Sequence, residues 1–166
     1  MTNQVTNVVF AGLGGQGVIR ASDIFAEVVF SAGYDVKKAE IHGMSQRGGS
    51  VSSDVRFGRH VDSPMIPAGA ADYLVVLSPD QVANNLPVLR PGGRLITPDQ
   101  VKAEKLPHRR SLNVALLGIL SVYLDMNLDL WTRSIHAHFP DKLHALNEQA
   151  FALGREAQST GKQTSP

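Results

Sequence analysis

Cysteine is absent from the 166 residues. Its absence excludes disulfides, a thiol nucleophile and thiolate ligation of an iron–sulfur cluster. Long apolar runs are missing as well. No stretch approaches the roughly 18 residues of a membrane helix, and the amino terminus lacks the charged-then-apolar pattern of a secretion signal. Neither sign of charge is in excess: 16 Lys and Arg stand against 15 Asp and Glu, a formal net charge of +1. A surface so balanced offers no field for nucleic acid or an anionic membrane, so the expectation is a cytoplasmic protein that binds neither. Two motifs are also lacking. Gln16-Gly17-Val18 stands where a P-loop would carry G-K-[ST], and there is no H-E-x-x-H. The histidines are His42, His60, His108, His136, His138 and His144. They are read as holding no metal, with His136-x-His138 as a solvated helix end.

The length suits one domain with a normal core. Residues 5–11 form an apolar run that reads as a buried strand, and 17–32 as a helix with Val18, Ala21, Ile24, Phe25, Val28 and Val29 on one stripe, stopped at Gly33. Residues 35–41 make a second strand. In 51–57, Val51, Ser53, Val55 and Phe57 alternate with Ser52, Asp54 and Arg56, the period of a strand with one wet face. Residues 72–78 give an apolar strand. Ser78 and Pro79 then open a helix running to about Leu89, Pro91-Gly92-Gly93 marks a turn, and 94–97 is a further strand. From Ser111 the chain turns helical. Its segment to Met126 is apolar almost all round and should be buried, and 129–138 and 141–158 give two more helices. Trp131 and Phe139 read as packing residues. The alternation of strands and helices predicts an α/β fold: a Rossmann-like three-layer sandwich with a mostly parallel sheet and a helical carboxy-terminal part. A single domain over 1–158 and a flexible tail over 159–166 are expected.

Gly12-x-Gly14-x-x-Gly17 lies between the first strand and the first helix, where a dinucleotide-binding loop would lie. Gly12 permits the tight turn, Gly14 and Gly15 clear side chains so that backbone N–H groups can face an anion, and Gly17 lets the helix pack close to the strand. The helix start adds the positive end of a dipole. A turn that is tight for packing alone gives the same spacing. Glu40 stands near the place of a ribose-binding acid. However, residues 35–57 have no room for the crossover helix that a dinucleotide unit needs, so they read as a hairpin-like excursion. That departure counts against a self-sufficient dehydrogenase.

A second loop carries Arg47 ahead of Gly48-Gly49, flanked by Ser45, Gln46 and Ser50. An arginine hinged on glycines can present its planar fork to a phosphate or carboxylate. A mobile surface loop with one solvated charge is the plainer alternative. Taken together, G-L-G-G-Q-G at 12–17 and R-G-G at 47–49, followed by a V-x-x-x-V-R strand, resemble the gamma subunit, or gamma-type domain, of 2-oxoacid:ferredoxin oxidoreductases. The loop variant H-G-M-S-Q-R-G-G-S-V with V-R-F-G is most similar to the beta subunit of the indolepyruvate members. Asn113 with Leu117-Gly118, and Asn147 through Phe151 to Gly154, agree with the resemblance, which spans about residues 5–155.

The resemblance implies a subunit of an enzyme that oxidatively decarboxylates a 2-oxoacid, transfers the acyl group to coenzyme A and passes electrons to ferredoxin. Thiamine diphosphate with its magnesium and the 4Fe-4S clusters would sit on a larger partner subunit. The chain has no cysteine and shows no G-D-G…N signature. It would bind no cofactor alone, carry no catalytic residue of its own and be inactive by itself. Gly12, Gly14, Gly15, Gln16 and Gly17 would face the partner or a coenzyme A phosphate. Arg47, with Gly48 and Gly49, would pair with an anion near the intersubunit cleft, with Ser45, Gln46 and Ser50 donating beside it. Asn113 is read as an internal cap bonding a neighbouring loop. A stand-alone nucleotide- or dinucleotide-binding module is the alternative.

Overall fold

The structure, a computed structural model, describes residues 4–43 and 48–162, with residues 160–162 by backbone alone. Strand β1 (Thr6–Leu13) is buried along nearly its whole length. That is what a continuous apolar run makes when both faces of a strand are covered. Helix α1 (Val18–Ser31) follows, then β2 (Asp35–His42), β3 (Ser50–Gly58) and β4 (Ala71–Val76). A short helix α2 (Val82–Asn85), strand β5 (Leu89–Ile96) and helices α3 (Leu112–Val122), α4 (Leu128–His138) and α5 (His144–Lys162) complete the order. Helix α5 continues past the expected end at Gln158.

The five strands lie in the order β2-β3-β1-β4-β5. β4 pairs parallel with both β1 and β5, whereas β3 runs antiparallel to β1 and β2 antiparallel to β3. The sheet is therefore mixed, which corrects the expected mostly parallel one. The connection from β2 to β3 is too short for a crossover helix, so the chain turns straight back. The hairpin then joins the sheet through β3, which places Val55 and Phe57 in the core beneath α1.

All the long helices lie on one face. The predicted stripe of α1 is buried in full. Phe25 is the hub, its ring centroid 5.7 Å from those of Phe10 and Phe57 and 5.9 Å from that of Trp131. Aromatic pairs at such spacings add about 1 kcal/mol each beyond burial. Helix α3 is apolar all round because it is enclosed: every residue from Asn113 to Ser121 is buried. It packs backbone against backbone on α5. A Cβ on Gly118 would run into the Phe151 carbonyl, and one on Gly154 into the Ala115 carbonyl. Only glycine permits that approach.

The third layer is thin. Val9, Ala11, Leu74 and Val76 are covered by Ile66 of the connector 59–70 and by Val82 and Val88. The helix expected from Pro79 to about Leu89 is broken into a 3-10 turn (Pro79–Gln81), α2 and a second 3-10 turn (Leu86–Val88). Pro87 has no N–H to give, and Asn85 turns its amide onto the Gln81 carbonyl at 2.7 Å instead. Pro91-Gly92-Gly93 lies inside β5 as a bulge: Ala71 pairs with Leu89, but Tyr73 pairs with Arg94. The expected wet face of β3 is also covered. Asp54 is 6% exposed and accepts the Ile66 N–H at 3.3 Å. Burial pushes its carboxyl pKa above the ordinary value. Arg56 beside it reaches Asn7 Oδ1 and the Ser63 carbonyl, both at 2.8 Å. Among the described residues no helix is long and apolar enough to cross a membrane.

Candidate functional site: a basic cleft at the first residues of two helices

β1 ends at Leu13, and the chain must turn sharply to start α1 at Val18. Leu13 N–H donates to Gln16 Oε1 at 2.7 Å, and Gln16 N–H returns to the Leu13 carbonyl at 3.2 Å. The Gln16 side chain thus braces the loop. Gly12 is the point of close approach, since a Cβ there would lie 2.9 Å from Val18 Cγ2 and 3.3 Å from Leu77 Cβ. Gly17 caps α1 at φ 84°, in the left-handed region that favours glycine. Its close neighbour is α3 and not the sheet, as the glycine spacing had suggested: a Cβ would stand 2.5 Å from Asn113 Nδ2. Gly12 takes over the close helix–strand packing expected of Gly17.

Asn113 is 4% exposed. Its Nδ2 donates to the Gly17 carbonyl at 3.3 Å, and its Oδ1 accepts the Val114 N–H at 2.9 Å. This is the internal cap expected from the sequence, and it ties the first turn of α3 to that of α1. The two glycine loops also meet. Gly14 N–H donates to the Gly49 carbonyl at 2.8 Å, across the ends of the paired strands β1 and β3. Gly48 is exposed beside this bond. Ser45, Gln46 and Arg47 lie outside the described residues.

Gly14, Gly15, Gln16 and Gly17 line a cleft of about 1370 Å³. Its other walls come from α1, from the end of the hairpin at His42 and Val51, from Arg109, Arg110, Leu112 and Asn113, and from the end of α4. Among the described residues three arginines line it: Arg20, Arg109 and Arg110. The Arg20 guanidinium sits 5.0 Å from the Phe139 ring centroid, which gives Phe139 a place in the cleft wall beyond packing. Asp23, also in the wall, is paired with Lys38 at 2.8 Å. Lys38 further bonds Glu40 and so holds that carboxyl below its usual pKa. His138 is tied down by the Ser134 carbonyl at 2.8 Å and Glu27 at 3.3 Å. Net positive charge, backbone donors and apolar patches (Leu13, Leu77 and Leu112) equip the cleft for an anion with a sizeable uncharged part.

The arginines ahead of α3 were not singled out in the sequence. A signal was available: Arg109 and Arg110 directly precede a helix, where acids are the favoured residues. Among the described residues no group of three or more His, Cys, Asp or Glu side chains is arranged to hold a metal ion.

The family described as pyruvate ferredoxin/flavodoxin oxidoreductase matches residues 7–111, a span that includes both glycine loops and the arginine pair. Indolepyruvate oxidoreductase subunit IorB of Thermococcus kodakarensis is 41% identical over 91 residues, covering 55% of this chain and 45% of the relative. The match thus spans less than half of that relative's length. The structure of 2-oxoglutarate:ferredoxin oxidoreductase from Magnetococcus marinus, with 2-oxoglutarate, coenzyme A and succinyl-CoA bound, aligns over 96% of this chain and 32% of that one, with a TM-score of 0.82 and 18% identity. The gamma subunit of a keto/oxoacid ferredoxin oxidoreductase from Geobacter sulfurreducens aligns over 93% of this chain and 99% of that one, with a TM-score of 0.70 and 22% identity. At these identities the structures speak for the fold alone.

Proposed function

Because the chain belongs to the pyruvate ferredoxin/flavodoxin oxidoreductase family, we propose that it is the accessory, gamma-type subunit of a cytoplasmic 2-oxoacid:ferredoxin oxidoreductase, with an arylpyruvate such as indolepyruvate as the 2-oxoacid. The larger partner holds thiamine diphosphate, magnesium and the iron–sulfur clusters. With no cysteine, this chain has no thiolate to offer a cluster. Its part is to present the basic cleft to coenzyme A, the co-substrate whose phosphates match the donors of the glycine loop. The identity of the relatives as indolepyruvate oxidoreductase subunits supports the substrate class. Coenzyme A in a structure of the same fold supports the ligand.

The hydrogen bond from Gly14 N–H to the Gly49 carbonyl carries this reading, because it joins both glycine loops at the margin of one cleft. Arg47, which precedes the second loop's glycines, enters it from the sequence alone. The chain co-expressed with its partner should oxidise the 2-oxoacid with coenzyme A, while the chain alone should be inactive and colourless. Arg47→Ala should lower coenzyme A-dependent turnover by far more than it lowers the melting temperature. Removing the arginine from a desolvated arginine–phosphate contact costs about 2–5 kcal/mol. Equal losses, or no loss, would refute the role of Arg47. A nucleotide retained by the isolated chain would favour the stand-alone binding module instead.

A further inference from the structure

The part of the cleft wall that leads into α3 carries two adjacent arginines that the proposed contact with the glycine loop does not use. Arg109 and Arg110 belong to a 3-10 turn (Arg109–Ser111) that runs directly into α3. His108 shapes the turn, its Nδ1 accepting the Arg110 N–H at 3.0 Å. Asn113, just beyond, donates to the Gly17 carbonyl, so the turn stands beside the glycine loop.

Stability does not account for this pair. The start of a helix repels cations, and positive charges on adjacent residues gain nothing from each other. Both side chains are exposed, and neither forms an ion pair among the described residues. The chain as a whole carries only +1, so the cluster is not a by-product of a basic surface. A singly charged carboxylate would satisfy one guanidinium. Two side by side fit a dianion with three free oxygens, the form that a phosphate monoester takes near neutral pH. The glycine loop, with backbone N–H groups as donors, suits the less highly charged oxygens of a diphosphate.

We infer that Arg109 and Arg110 are the specificity-determining residues of the cleft and that they read a phosphate monoester, the group that separates coenzyme A from 3′-dephospho-coenzyme A. This rests on the proposal that the cleft takes coenzyme A. The arginine pair sets which form of the carrier is accepted, while the glycine loop engages what the two forms share.

The test is equilibrium titration of coenzyme A and 3′-dephospho-coenzyme A onto the complex of this chain with its larger subunit. The unaltered complex should favour coenzyme A by about tenfold or more. In the double variant Arg109→Gln, Arg110→Gln that ratio should fall to near one, with the affinity for the dephospho form within about twofold of the original and the melting temperature unchanged. Arg109→Lys, Arg110→Lys, which keeps charge but loses the forked donors, should give an intermediate ratio. A ratio that survives in the glutamine variant, equal weakening of both ligands, or no preference in the unaltered complex would overturn the inference. Gly14→Val separates the two levels. If it leaves both ligands binding as before, the coenzyme A reading itself fails and the inference with it. If it weakens both while the glutamine variant keeps the ratio, only the assignment to the arginine pair fails.

Discussion

Glycine serves opposite ends in two parts of this molecule. At the α3–α5 seam, Gly118 and Gly154 lie against the carbonyls of Phe151 and Ala115. At the cleft, a Cβ on Gly15 would meet nothing within 4 Å. The first pair brings two backbones together, and the second keeps a backbone clear for something else. A core glycine left without its neighbour would be a void, whereas a cleft glycine with open space before it is ready to approach a ligand. The two kinds cannot be told apart by composition, since both are glycines in or next to a helix. Their neighbours distinguish them.

That contrast can be broken in graded steps. Gly154→Ala should be the most damaging change, because its methyl meets backbone rather than a movable side chain. A loss of about 3 kcal/mol or more in urea unfolding is expected. If the variant melts within a degree or two of the parent, the seam is looser than described. Gly17→Ala comes next, at about 2 kcal/mol, combining a left-handed φ with the displacement of Asn113. Placed in an Asn113→Ala background its cost should drop to about 1 kcal/mol, a coupling that a double-mutant cycle reads directly. Additive losses would mean that the two residues do not press on each other. Gly15→Ala, with φ 88° and open surroundings, should cost only about 1 kcal/mol, from backbone strain alone.

The smallest effect concerns charge rather than space. Burial raises the pKa of Asp54 in the folded protein, so the ionised carboxylate costs stability above that folded pKa. The cost fades as pH falls through the raised value, and it is gone below the unfolded value of about 4. Asp54→Asn can still accept the Ile66 N–H. Relative to the parent it should be slightly more stable at neutral pH, and the gap should close in acid. Parallel melting curves across that range would show that Asp54 is not held under the connector as described.

The seam and the cleft differed in how far the sequence announced them. The apolar stripe of α1 and the all-round apolar α3 were legible, because burial writes itself into hydrophobic period. The hairpin was legible from what its connection lacked, and Asn113 from its place at the head of the most apolar helix. Strand direction was not. Nothing in the alternation of β3 says that its second neighbour would be β1, so the parallel content was overestimated. Nor did the pattern Ser52, Asp54, Arg56 tell a solvated face from one roofed by residues 59–70, since polar residues suit either once their hydrogen bonds are met. Pro91-Gly92-Gly93 carried a true turn signal that the sheet absorbed as a bulge. At the cleft, the first glycine loop could be anticipated because its spacing is local. Arg20, Arg109 and Arg110 converge only through the fold.

Among the described residues β2 has a strand neighbour on one side only, β3. The backbone donors and acceptors of its other side are the kind of surface on which chains aggregate through added strands. Its sequence, DVKKAEIH, places Asp35, Lys37, Lys38 and Glu40 along that margin. Each approaching copy would have to strip water from these charges before the first inter-chain bond formed. The same residues that leave this strand so plainly polar therefore act as its insulation, and exchanging the two lysines for valine would convert a quiet border into a template for fibres.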